Sequence, residues 1–130
     1  MIVGDISLGQ VEQAFKRMGL AEPVVFPWYE DDQLVGLITG YIENPEQAFL
    51  EHFVILPEAK QKLKFMQLAP KIIAELLRQR GIKRIVLFIV KDDPRRQGLD
   101  AWARRGGYAQ YGESESRVWY VRHISEEADQ

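Results

Sequence analysis

The chain has 130 residues, of which 46% are apolar and 28% charged. These values are typical of one soluble domain with its own core, here spanning residues 1–130 with a polar tail at 124–130. It contains no cysteine, and its two histidines, His52 and His123, are far apart, so neither a disulfide nor a metal site is expected. No segment has the features of a signal peptide or the length of a membrane span, which predicts a cytoplasmic protein without a membrane partner.

The charges are unevenly distributed along the chain. Residues 1–59 hold ten acidic and two basic side chains, whereas residues 60–105 hold four acidic and thirteen basic ones. Such a basic block is found in proteins that bind phosphates, nucleic acid or an acidic partner. The alternative is that folding brings the two blocks together, so that their charges cancel.

The first half of the chain predicts one helix followed by three strands. Residues 8–18 combine a capping-box pattern with apolar residues at helical spacing. Three stretches rich in β-forming residues follow, separated by short polar turns, which makes the strands antiparallel. They are Val24–Tyr29, Gln33–Ile42 and Ala48–Leu56. Gly36 and Gly40 indicate bulges or close backbone approaches within the second of these strands.

The second half predicts a helix, a buried strand, a short helix and a closing hairpin. The firm part of the first helix is Pro70–Gln79, because proline fits in a first turn, and its apolar stripe is Ile72, Ile73, Leu76 and Leu77. The continuous apolar run Arg84–Val90 is typical of a central strand. A helix between two strands predicts a parallel pair joined by a right-handed crossover, here Ala48–Leu56 with Arg84–Val90. The remaining predicted elements are a helix at Pro94–Arg105 and strands at Tyr108–Tyr111 and Arg117–His123.

This order of elements, with the strand end Phe53–Pro57 and the later Gly107–Tyr108 pair, resembles the GNAT N-acetyltransferase superfamily. The resemblance covers roughly residues 24–123. It implies an α/β (α+β) fold with a mixed sheet: antiparallel N-terminal strands, one parallel crossover pair and flanking helices. The chain is also similar to the GNAT-like internal virion proteins of short-tailed bacteriophages, in its order of elements and in a basic loop without glycines.

The resemblance implies a loop after Pro57 whose backbone N–H groups bind the pyrophosphate of coenzyme A, with glycines that let the phosphates approach. Here the basic position of that loop falls on Lys60, and the two glycine positions fall on Leu63 and Phe65. We therefore predict that bulky side chains fill the loop and that no cofactor binds. If acetyl-CoA does bind, Phe53, Ile55, Lys60, Lys62 and Lys64 are the predicted contacts.

The resemblance also implies an acid and a base. Ala103 occupies the position where the superfamily has a tyrosine that protonates the leaving thiolate, which leaves Tyr108 or Tyr111 as the candidate acid. Glu51 is the candidate base, and an exposed or hydrogen-bonded strand residue is the alternative interpretation of it. Because neighbouring strand residues face opposite sides, only one of Glu51 and His52 is expected to reach a cleft.

Three functional interpretations follow from these observations. The first is a non-catalytic structural or interaction subunit, binding a protein partner or a second copy of itself, in the cytoplasm or in a virion. The second is an N-acetyltransferase that uses acetyl-CoA with an unusual loop. The third is a nucleic-acid-associated protein using the basic block, against which the net charge of −2 argues.

Overall fold

The computed structural model describes residues 22–124, and the helix predicted at residues 8–18 and most of the polar tail lie outside the described residues. The described part forms a mixed sheet with the strand order β1-β2-β3-β4-β6-β5. Its strands are β1 (Pro23–Glu30), β2 (Gln33–Asn44), β3 (Gln47–Ile55), β4 (Arg84–Val90), β5 (Ala109–Glu113) and β6 (Arg117–His123). Neighbouring strands are antiparallel except β3 and β4, which are parallel, so the predicted fold class and crossover pair are confirmed.

Two helices, α1 (Lys62–Gln79) and α2 (Arg96–Arg105), pack against one face of the sheet. The α1 helix buries four side chains at a spacing of four residues, namely Phe65, Ala69, Ile73 and Leu77. Ile72 and Leu76, predicted to share the buried stripe, are each 44% exposed. That part of the prediction is wrong because the helix begins earlier than expected, and the extra turns define a different buried face.

Pro70 lies in the interior of α1 and not in its first turn, which corrects the predicted start of the helix. A proline has no N–H, so the carbonyl oxygen of Met66, four residues earlier, loses its usual helical partner. The indole Nε1 of Trp102 in α2 donates a hydrogen bond to that oxygen at 2.7 Å. The proline is therefore tolerated because a side chain from the second helix satisfies the freed acceptor.

Candidate functional site: the β3–β4 gap and the adjoining loop

The two parallel strands are paired along only part of their length. Backbone partners run from Gln47 opposite Arg84 to Leu50 opposite Leu87, and beyond these residues β3 and β4 continue without pairing to each other. The sheet therefore opens at the carboxyl ends of its only parallel pair. This is the position at which ligands commonly bind in sheets with parallel strands.

A β-bulge lies at the start of this gap. Thr39 of β2 is opposite His52, and the next residue, Gly40, is opposite Leu50, so Glu51 is an extra residue on β3 without a partner on β2. A Cβ atom at Gly40 would collide with the carbonyl oxygen of Phe49, which explains the glycine at that position. The prediction of a bulge or close approach at Gly40 is thus confirmed.

The bulge changes which side chains face the helices. Leu50 and Phe53 both belong to the core on the helix side of the sheet, although strict alternation would place them on opposite faces. His52 instead contacts Thr39, with its Nδ1 3.4 Å from the threonine hydroxyl. Because the alternation is interrupted, Glu51 and His52 both line the gap, and the expectation that only one of them reaches it is wrong.

The gap contains a cavity of about 130 Å³. Its wall is mostly apolar and aromatic, with Phe53 and Trp102 in edge-to-face contact at a centroid distance of 5.0 Å. The Oε2 atom of Glu51 is buried and has no hydrogen-bond partner among residues 22–124. A buried carboxylate oxygen without a donor is costly, so it marks the one place in the cavity wall where a donor group would be stabilised.

Neither candidate acid lines this cavity. Tyr108 is buried, and its hydroxyl finds no partner within the described residues. Burial raises the pKa of the Tyr108 phenol well above its usual value, which makes it a weaker acid. Tyr111 is 56% exposed on the edge strand β5. The structure thus places Glu51 in the gap but does not bring either tyrosine to it.

The loop before α1 is occupied by a carboxylate from the same chain. The side chain of Glu30, at the end of β1, accepts hydrogen bonds from the backbone N–H of Lys60 at 2.7 Å and of Gln61 at 2.8 Å. The indole of Trp28 donates a third, longer hydrogen bond at 3.3 Å. The hydrogen bond from Lys60, followed by those from Gln61 and Trp28, lowers the pKa of Glu30 against the opposing effect of desolvation.

The residues at the two glycine positions do not fill the loop. Leu63 is 71% exposed, and Phe65 is 4% exposed with its side chain in the core. The Phe65 ring stacks on Trp28 and Phe53 at centroid distances of 5.3 and 5.5 Å. The space for that ring explains Gly36, since a Cβ there would lie 2.5 Å from the Phe65 ring. The loop is therefore filled, but by Glu30 and not by the bulky side chains from which the prediction was made.

The five predicted cofactor contacts divide into two groups. Phe53 lines the cavity, and Ile55 packs against the core at the end of β3. Lys60 lies in the loop, where its ammonium group is 3.8 Å from the Asp31 carboxylate, and Lys62 and Lys64 are exposed in the first turn of α1. The role of all five stays a prediction.

Glu30 is the functional residue that the sequence did not reveal. The segment Glu30–Asp32 has the composition of a polar turn, and its two aspartates adopt positive φ angles of 50° and 63°. Thirty residues separate Glu30 from the loop it binds. A local pattern contains no information about such a contact, because only the pairing of β1 with β2 and of β2 with β3 brings the two segments together.

Two further observations limit the chemistry of the described region. Among residues 22–124, no helix combines the length and the hydrophobicity needed to span a bilayer. The same residues contain no group of three or more acidic, histidine or cysteine side chains that could hold a metal ion.

Comparison with known proteins identifies the family. Residues 7–110 match the acetyltransferase (GNAT) family, so the chain belongs to it. No curated protein matches the chain by sequence.

Solved structures of acetyltransferases share the fold at low sequence identity. The N-acetyltransferase PseH of Campylobacter jejuni, solved with acetyl coenzyme A, has a TM-score of 0.67 and 14% identity, covering 90% of this chain and 79% of that one. The PaiA N-acetyltransferase of Thermoplasma acidophilum, solved with coenzyme A, has a TM-score of 0.66 and 17% identity, with coverages of 87% and 67%. A putative GNAT acetyltransferase of Desulfovibrio desulfuricans has a TM-score of 0.71 and 11% identity, with coverages of 89% and 78%.

Proposed function

We propose that this chain is a GNAT-fold protein whose coenzyme A loop is closed by its own Glu30, and that it acts as a non-catalytic structural or interaction subunit. The observation that supports this proposal is the pair of short hydrogen bonds from the N–H groups of Lys60 and Gln61 to the Glu30 carboxylate. Backbone N–H groups at this kind of loop and helix start are those that bind phosphates. Here a negatively charged oxygen pair of the same protein already satisfies them.

The residues of the loop therefore do not fit a bound pyrophosphate. A diphosphate placed against the same N–H groups would have to displace Glu30, because two anions cannot share these donors without strong repulsion. The positive end of the α1 helix also has no acidic residue in its first turn, so the dipole is compensated only by the Glu30 carboxylate beside it. Removing that carboxylate leaves both the helix end and the two N–H groups unsatisfied.

The partner of such a subunit is a protein, either another chain or a second copy. The similarity to internal virion proteins of short-tailed bacteriophages is the basis for proposing a virus particle as the assembly, with the cytoplasm of the host as the place of synthesis. The gap between β3 and β4 then persists as a consequence of the fold and has no catalytic role.

An N-acetyltransferase using acetyl-CoA is the second candidate, favoured by one specific observation. The cavity in the gap is lined by Glu51, whose Oε2 atom is buried without a partner among the described residues, as a base awaiting an amine would be. In that case Phe53 would contact the acyl arm of the coenzyme, and Lys60, Lys62 and Lys64 would bind its phosphates in place of the amides.

Calorimetric titration with acetyl-CoA distinguishes the two candidates. The non-catalytic proposal predicts no binding tighter than a Kd of about 1 mM for the natural chain. Glu30→Ala, which frees the two N–H groups, is expected to bind inorganic pyrophosphate more tightly than the natural chain does. Tight binding of acetyl-CoA by the natural chain, together with turnover that Glu51→Gln abolishes, would reject the proposal in favour of the enzyme.

A further inference from the structure

The basic residues of the chain differ in whether an acid neutralises them. Those near the sheet and in α2 form ion pairs: Arg80 with Glu22, Lys83 and Arg84 with Glu46, Lys91 with Glu113, Arg95 with Asp93, and Arg96 with Asp100. Lys62, Lys64 and Lys71 in the first half of α1 form no ion pair with any residue from 22 to 124, and all three are exposed. The folded chain thus cancels most of its basic block and leaves the excess positive charge on one helix.

Exposed apolar side chains lie beside these charges. Ile72 and Leu76 are one turn apart on α1 and are each 44% exposed. On the helix surface, Lys64, Lys71, Ile72 and Leu76 form one continuous strip, because residues three, four, seven or eight apart share a side. We refer to these four residues as the α1 strip.

A groove extends from this strip to the edge of the sheet. It lies between α1 and β1, has a volume of about 540 Å³, and is lined on the helix side by Leu76 and Leu77 and on the strand side by Pro23 and Phe26. Arg80 lies at one end. The groove thus has apolar walls and basic residues along its margin, and its two nearest acids, Glu22 and Glu75, are already paired with Arg80 and Arg78.

We propose that the α1 strip and this groove form the docking site for an acidic amphipathic helix of a partner protein. The apolar walls fit the apolar face of such a helix, and Lys64, Lys71 and Arg80 fit its acidic face. A nucleic acid is a poorer match, because the strip offers two aliphatic side chains where a nucleic-acid surface has aromatic rings and arginines. The proposal specifies the partner surface of the interaction subunit proposed above and does not depend on whether coenzyme A binds.

Fluorescence anisotropy with a designed peptide tests this site. The probe has 18 residues, the length of α1, with leucine on one helical face and glutamate on the other, and the reference probe has the same composition in scrambled order. We expect the ordered peptide to bind at least about tenfold more tightly than the scrambled one. Raising the salt concentration from about 50 mM to about 500 mM should weaken this binding.

Charge and apolar variants locate the binding. Lys64→Glu with Lys71→Glu, and separately Ile72→Ser with Leu76→Ser, should each weaken binding of the ordered peptide at least about tenfold. The matched control is Lys83→Glu with Arg105→Glu, which changes the net charge equally at exposed sites outside the strip and should stay within about twofold. The lysine variants carry the test if the apolar double variant does not fold.

Four results would overturn the proposal. They are equal binding of ordered and scrambled peptides, equal weakening by the control variant, tighter binding of duplex DNA than of the peptide, and a dimer in sedimentation velocity that Ile72→Ser with Leu76→Ser dissociates. The last result would assign the groove to a second copy of this chain. Titration of acetyl-CoA into the same variants reads out the loop separately, so failure of the docking site and failure of the non-catalytic proposal are distinguishable.

Discussion

The two parts of the site differ in what keeps them as they are. The β3–β4 gap is open because the backbone pairing ends at Leu50 and Leu87, a property of the sheet itself. The loop before α1 is closed because one side chain, Glu30, occupies its N–H groups. A sheet can therefore keep a cleft long after the chemistry beside it has changed, so the presence of the cleft is weaker evidence for activity than the state of the loop.

The largest expected effect separates core from loop on the α1 side. Phe65→Ala removes a ring packed between Trp28 and Phe53 and should lower the free energy of unfolding by about 3–5 kcal/mol. Leu63→Ala, two residues earlier and 71% exposed, should change it by less than about 0.5 kcal/mol. Chemical denaturation measures both, and similar losses for the two variants would show that Phe65 is not a core residue.

A second prediction addresses the gap. Gly40→Ala places a methyl group against the carbonyl oxygen of Phe49 and should cost about 1–3 kcal/mol of unfolding free energy by disturbing the bulge at Glu51. Gly98→Ala in α2 is the matched control, since nothing lies within 4 Å of the added atom, and it should stabilise the protein by up to about 1 kcal/mol. If Gly40→Ala were as well tolerated as Gly98→Ala, the bulge would not be the constraint that shapes the gap.

A third prediction concerns the contact between the two helices. Trp102→Phe leaves the Met66 carbonyl without its donor and should cost about 1–3 kcal/mol. In a Pro70→Ala background the new N–H of residue 70 can bond to that oxygen, so the cost of Trp102→Phe should fall by about 1 kcal/mol. A double-mutant cycle by thermal or urea denaturation gives this coupling, and strictly additive effects would contradict the proposed compensation.

The smallest expected effect is the pH dependence of the loop. Because the folded-state pKa of Glu30 is lowered, its contribution to stability is present above the unfolded pKa, near 4.5, and is lost as the pH falls through the folded value. The natural chain should therefore be more stable than Glu30→Gln at neutral pH, and the difference should shrink on acidification. Paired urea titrations between pH 7 and pH 3 measure it, and a difference that is constant with pH would remove the carboxylate from the account.

The sequence predicted the fold well because the fold depends on local signals. Strand β4 was predicted with the bounds found, and the parallel pairing of β3 with β4 followed from the intervening helix. The start of α1 was missed because Pro70 is normally excluded from a helix interior, and its compensation comes from Trp102, far along the chain. Local patterns cannot show a contact that only the tertiary structure creates.

The site was predicted less completely for the same reason. Glu51 and Phe53 were located in the gap because they belong to the strand that forms it. The closure of the loop was expected from Leu63 and Phe65, whereas the structure assigns it to Glu30. Glycine-free composition correctly indicated an altered loop, but the residue that fills it lies on a different strand and became visible only with the sheet assembled.

The most direct test of the closed loop is the backbone amide NMR spectrum during titration with coenzyme A. The account predicts that the Lys60 and Gln61 N–H resonances of the natural chain do not move up to about 1 mM ligand. It also predicts that in Glu30→Ala these two resonances shift with added pyrophosphate. Saturable movement of both resonances in the natural chain, with Glu30 still present, would contradict the central claim.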